Sequence, residues 1–177
     1  QEIVSHCTHG IDLHTGGRHR SNFPQIRAEL SDPEVRAMTE AFGAPLVINS
    51  AVRDGSLRQC ATELGVPVIL YESCEALRFD EVHIRAGVKG VVNVMRHLGM
   101  LRKSRASNRH KPIFSRQTQW LRAPASGIHR VLVPLGAQVN KEQVIGLIAD
   151  PLGIEETEVR SPTAGVIIGR SNLPLVY

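Results

Sequence analysis

Val66 to Tyr71 is an almost unbroken apolar run that ends on an acid, Glu72, and few architectures accept such a strand. A strand with one wet face alternates apolar and polar residues, whereas a continuous run belongs in a sheet covered on both faces. Pro45-Leu46-Val47-Ile48-Asn49 has the same character. Ile11-Asp12-Leu13-His14-Thr15 is a third strand signal, stopped by Gly16-Gly17, and Ile3-Val4 is a weaker one. Helical segments lie between the strands. Asp32 is placed to cap a helix with Pro33 at its first position, running through Met38 to about Phe42 and ending at Gly43. Ser56 to Leu64 forms a second helix, closed by Gly65. A long third helix runs from about Glu81 to Leu101, carrying Val82, Val88, Val91, Val92, Val94, Met95 and Leu98, although Gly87 and Gly90 weaken it. Residues 15–25, rich in Gly, Arg, Ser, Asn and Pro, read as an exposed loop. Strands alternating with helices imply an α/β fold with a mainly parallel sheet and flanking helices.

The pattern changes near residue 104, where helical periodicity stops. Arg96 to Arg116 holds seven Lys/Arg together with His97 and His110, and no acid. Such a run binds phosphate in some proteins, but Phe114 is its single aromatic, which argues against a single-strand nucleic-acid groove. A solvated basic linker over 104–119 is the expectation. Beyond it, Arg122-Ala123-Pro124-Ala125-Ser126-Gly127-Ile128 recurs as Arg160-Ser161-Pro162-Thr163-Ala164-Gly165-Val166. The expected organisation is therefore an α/β part over 1–103, the linker, and a small all-β domain of two related halves over 120–177.

At 177 residues the chain can bury one core plus a small second domain. Its 42% apolar and 21% charged content is that of a soluble globular protein, and with only 4% aromatics the interior must be aliphatic. No stretch of 18 apolar residues exists to span a membrane. Three separated cysteines, Cys7, Cys60 and Cys74, with no C-x-x-C pair, argue for a reducing, cytoplasmic setting. The start at Gln1 and the apolar ending at Tyr177 read as those of a fragment.

Two strand-end residues carry the chemistry. The carboxyl ends of strands form the ligand crevice of open α/β sheets, so His14 is placed either to ligate a metal, with Asp12 as a candidate for orienting its ring, or to make structural hydrogen bonds. Glu72 is either a working carboxylate, taking a proton from metal-bound water, or a rim acid paired with an arginine such as Arg53 or Arg78. Glu75 is a second candidate for the same work. His6-Cys7-Thr8-His9 has the spacing of a metal pair but no helix to align it, and Cys7 beside His6 and His9 reads as an inert thiol before a nucleophile.

Asp12-Leu13-His14-Thr15-Gly16-Gly17, Asn22-Phe23-Pro24-Gln25-Ile26-Arg27, Asp54-Gly55-Ser56-Leu57-Arg58, Gly65 to Glu72 and Trp120-Leu121-Arg122-Ala123-Pro124 occur in an order that resembles the succinylglutamate desuccinylase/aspartoacylase family. The resemblance implies a zinc-carboxypeptidase-like α/β fold with an appended β domain. It implies one Zn2+ per active site, with His14 as the third ligand and Glu72 as general acid/base. It implies metal-assisted hydrolysis of the amide of a small N-acylated amino acid. The family's H-x-x-E ligand pair precedes the D-L-H motif and does not occur here, so the remaining ligands are expected upstream of Gln1. Arg53, Arg18 and Arg20 are candidates for a substrate carboxylate, against a reading as solvated surface. The β domain resembles a biotinyl/lipoyl hammerhead without the modifiable Lys, since Asp150 to Glu156 contains none. It is expected to shape a cleft mouth or form a homo-oligomer contact. A non-catalytic homologue and an anion- or nucleic-acid-binding module are the alternatives.

Overall fold

The computed structural model describes residues 2–103 and 111–177. After a 3-10 turn at Val4–His6, in place of the weak strand expected there, come β1 (Gly10–Thr15), β2 (Arg20–Ala28), α1 (Pro33–Phe42), β3 (Leu46–Asn49), α2 (Leu57–Glu63), β4 (Val68–Cys74) and α3 (Glu81–His97). Caps set the helix ends. The Asp32 carboxylate accepts from the backbone N–H groups of Glu34 and Val35, Gly43 closes α1 at φ 77°, and the Ser56 hydroxyl accepts from Gln59 N–H. Asp80 caps α3, which stops at His97, short of the expected Leu101.

The chain divides into two compact units that are discontinuous in sequence, where three consecutive segments were expected. The first comprises Gln1–Thr15, Pro24–Cys74 and Arg78–Thr118; the second Gly16–Phe23, Glu75–Leu77 and Gln119–Tyr177. In the first, the strands lie in the order β1-β4-β2-β3-β5, with β5 at Ile113–Ser115. The β1–β4, β2–β3 and β3–β5 pairings are parallel. Two expectations change here. The supposed loop 15–25 contains the start of β2, because Pro24 falls just before Gln25, where pairing with β3 begins, and so forfeits no ladder bond on that side. Within the supposed linker, Ile113-Phe114-Ser115 pairs with Leu46-Val47-Ile48 as an edge strand. Residues 104–110, with Arg105, Arg109 and His110 of the basic run, lie outside the described residues.

The core occupies one face of this sheet, where Ile26, Ala28, Val47, Ile69 and Tyr71 pack against Val35, Met38 and Phe42 of α1 and Val94 of α3. Thr39 of α1 is 1% exposed, and its hydroxyl has no hydrogen-bond partner among the described residues. An unpaired buried hydroxyl costs about 1–3 kcal/mol, so Thr39→Val, which keeps the shape and removes the polar atom, is expected to raise unfolding stability by about 1 kcal/mol. Urea denaturation checks this, and a drop in the midpoint would show that the hydroxyl is satisfied.

The second unit is built of strands: β6 (Gly127–Val131), β7 (Gln138–Val139), β8 (Val144–Ala149), β9 (Glu156–Arg160), β10 (Gly165–Val166), β11 (Gly169–Ser171) and β12 (Leu175–Val176). Both copies of the sequence repeat open a strand at their glycine, Gly127 for β6 and Gly165 for β10. Four strands form a sheet in the order β12-β6-β8-β9, and β11 pairs antiparallel with Arg20, Ser21 and Asn22, making the sheet that contains β2 mixed. Asp150 organises the turn from β8 to β9. Its carboxylate accepts from the N–H groups of Ile154 at 2.6 Å, Glu155 at 3.0 Å and Leu152 at 3.3 Å. The backbone bond from Glu155 leads the interactions that hold this carboxyl below the usual carboxylate range.

Candidate active site

Parallel pairing of β1 with β4 sets His14 opposite Glu72 and Asp12 opposite Leu70. Residues in register on neighbouring parallel strands leave the same face, and the strands lie about 4.8 Å apart. His14 and Glu72 are therefore lateral neighbours at the carboxyl ends of their strands, on the face opposite Ile69 and Tyr71. Period two also puts Asp12 on the face of His14. Its Oδ2 sits 3.0 Å from His14 Nε2, which occupies that nitrogen and leaves Nδ1 for another partner. The His14 side chain is 49% exposed, open to a ligand.

Glu72 is more enclosed, at 19% side-chain exposure, and its Oε2 lies 3.2 Å from Arg27 Nε. The pair is at ion-pair distance, yet Arg27 Nε has no aligned hydrogen bond. A second guanidinium comes from α2. Arg58 is 7% exposed, its Nη1 reaches the Ser50 hydroxyl at 3.4 Å, and its Nε has no hydrogen-bond partner among the described residues. Burial pushes the Arg58 pKa down, the charge of Arg27 adds to this, and Asp12 and Glu29 oppose it. Asp12, Arg27, Arg58 and Glu72 thus form one network of charges beside His14.

The other candidates lie elsewhere. Arg53 is in the exposed stretch before α2, where its carbonyl accepts from Ser56 N–H. Arg18 and Arg20 belong to the second unit, where the Arg20 guanidinium lies over the Trp120 ring, 5.4 Å from its centroid. Glu75 belongs there too, its carboxylate accepting from His19 N–H and from the Asn172 side chain, each at 2.9 Å. His9 pairs with Glu34 at 3.4 Å, and the Cys7 thiol donates to the Ile3 carbonyl at 3.4 Å. Sequence reading assigned no role to Arg27 or Arg58. Both stand at the ends of motifs quoted above, and an arginine closing an otherwise apolar or capping segment was the available signal.

As to metal, an imidazole backed by a carboxylate is the donor arrangement that zinc takes. One ligand does not make a site, and the described residues hold no group of three His, Cys, Asp or Glu able to bind an ion. The residues present fit one ligand position and an adjacent carboxylate.

A largely parallel sheet flanked by helices, with His14 and Glu72 in register at its strand ends, defines an α/β protein. More particularly, the chain belongs to the succinylglutamate desuccinylase/aspartoacylase family, whose catalytic-domain model matches residues 1–98. Similar solved structures include the product-bound ectoine utilization protein EutE (DoeB) from Ruegeria pomeroyi, with TM-score 0.84 at 20% identity over 99% of this chain and 56% of that one. A succinylglutamate desuccinylase from Silicibacter sp. TM1040 gives TM-score 0.84 and 20% identity over 99% of this chain and 56% of that one. A succinylglutamate desuccinylase/aspartoacylase from Rhodobacter sphaeroides gives 0.81 and 21% over 98% and 56%. At these identities the likeness is one of fold. The chain spans about half the length of these structures. No curated protein sequence matches it. No helix among the described residues is long and apolar enough to cross a membrane.

Proposed function

We propose that the chain forms part of a zinc-dependent hydrolase that cleaves the amide bond of a small N-acylated amino acid. The observation that carries this reading is the register pairing of His14 with Glu72, with Asp12 behind the imidazole. Zinc, when bound, supplies Lewis acidity toward the amide carbonyl and a water of lowered pKa. His14 offers Nδ1 as one ligand, and Asp12 fixes the ring by holding Nε2. The further ligands are proposed to come from outside the described residues.

Glu72 takes the proton of the attacking water and returns it to the departing amine. Arg27, with its Nε 3.2 Å from Glu72 Oε2, holds the carboxylate in place beside His14. Arg53, Arg18 and Arg20 remain the candidates for a substrate carboxylate, while the buried Arg58 stands behind the site, its charge near those of Arg27 and Asp12. Strands β6 to β12 are read as a hammerhead-like domain; its β8–β9 turn has Asp150 at its base and no Lys, so it carries no prosthetic arm.

The test uses the full-length protein. We expect one zinc per chain, loss of that zinc in His14→Ala, and amine release from at least one of a panel of N-acyl amino acids. Zinc content unaffected by His14→Ala, or a zinc-loaded protein inert toward every panel member, would favour a non-catalytic relative.

A further inference from the structure

We propose that His83 is a positioning residue for Glu72, acting through Ser73; the inference rests on the reading of Glu72 as the proton-transferring carboxylate. Tyr71 and Ser73 flank Glu72 in β4, and the alternation of a strand turns both to the opposite face, toward α3. Both are tied to the same helical residue. Ser73 Oγ and His83 Nδ1 share a hydrogen bond, and the Tyr71 hydroxyl donates to the His83 carbonyl at 3.1 Å. The remaining ring nitrogen, Nε2, faces Asp80 Oδ2 at 3.7 Å, while Oδ1 of the same carboxylate caps α3 by accepting from Val82 N–H. His83 is thus oriented from both sides of its ring.

Serine, histidine and aspartate in this order resemble a nucleophilic triad, but the placement excludes that use. Ser73 is 3% exposed and lies on the face away from His14 and Glu72, so no substrate carbonyl reaches it. The arrangement is a clamp. It lies next to a backbone position that needs one. Cys74, immediately after Ser73, has φ 65°, a left-handed conformation that costs a side-chain-bearing residue about 1–2 kcal/mol. Such a conformation persists only where neighbours hold it. The ties at 71 and 73 hold β4 extended up to that point and so fix the direction in which Glu72 leaves the strand. The helix can come close enough because its facing positions, Gly87 and Gly90, lie four and seven residues beyond His83 and carry no side chains.

The experiment compares His83→Ala, His83→Asn, Ser73→Ala and Glu72→Gln in the full-length protein, using the best-hydrolysed member of a panel of N-acyl amino acids. Asparagine keeps a hydrogen-bonding atom near the place of Nδ1. His83→Ala and Ser73→Ala are expected to lower kcat about 10- to 100-fold, the cost of displacing a reacting group by about 1 Å, with KM and zinc content held within about twofold. His83→Asn should recover most of the loss. Equal losses in His83→Ala and His83→Asn would assign the effect to packing and overturn the proposal. So would an unchanged kcat in both His83→Ala and Ser73→Ala while Glu72→Gln is inactive. If Glu72→Gln turns over normally, the reading of Glu72 itself fails, a result separable from the other two.

Discussion

Glu72→Gln is expected to lower kcat by about 10²–10⁴-fold, the contribution typical of a positioned general acid/base. The substitution keeps size and hydrogen-bonding shape but removes the ability to accept a proton. It also leaves the Arg27 guanidinium without its counter-charge at 3.2 Å. Since the two side chains are only partly enclosed, that loss is smaller than for a fully buried pair, and the folded state should survive it. His14 keeps its Asp12 partner, so zinc content should be unchanged. Steady-state kinetics alongside metal analysis separates the outcomes. A variant retaining more than about a tenth of wild-type kcat would remove Glu72 from the chemistry.

The largest stability effect is expected at Gly90→Ala. A Cβ there would stand 2.1 Å from Phe42 Cε1 and 2.2 Å from its Cζ, far inside van der Waals contact. Phe42 has little room to retreat, because its ring packs on Tyr71 with centroids 5.0 Å apart in a close-packed core. Overpacking of this kind costs about 1–3 kcal/mol or more, against about 1 kcal/mol gained in helix propensity, so the net change is a loss. Gly87→Ala provides the control. Its Cβ would meet only the Tyr71 Cε1 edge at 3.1 Å, and the two contributions nearly cancel. Urea unfolding of both variants should place Gly90→Ala clearly below Gly87→Ala. The reverse order would show that α3 does not pack on α1 through this glycine.

Much of the first unit could be read from local punctuation. Asp32-Pro33, Gly43 and Ser56 act within a few residues of themselves, through caps and left-handed turns, so the limits of α1 and α2 follow from short stretches of chain. Glu72 stands out in the sequence because it follows the apolar, largely buried Val68–Tyr71. By contrast, β1 has no buried residue, and His14 is marked only by its place near a strand end, just before Gly16-Gly17. Arg27 and Arg58 were not legible as partners. One sits in a strand whose first half reads as loop, the other in a short helix, and only strand order and helix placement bring their charges to Glu72 and Asp12. The valines of α3 misled in the opposite direction. Val82 and Val88 are 73% and 59% exposed, while Gly87 and Gly90, which weaken the helix in isolation, form its buried face.

Periodicity and end signals along the chain marked α1, α2, α3, β3 and β4, because those preferences act over a handful of residues. Strand β5 and the first half of β2, in stretches that read as linker and loop, emerged only through sheet pairing. Which imidazole meets which carboxylate, and which helix face has room for an aromatic ring, was decided by parallel register and interhelical distance. Those depend on contacts between residues tens of positions apart, such as His14 with Glu72 and Phe42 with Gly90, and no local pattern encodes them.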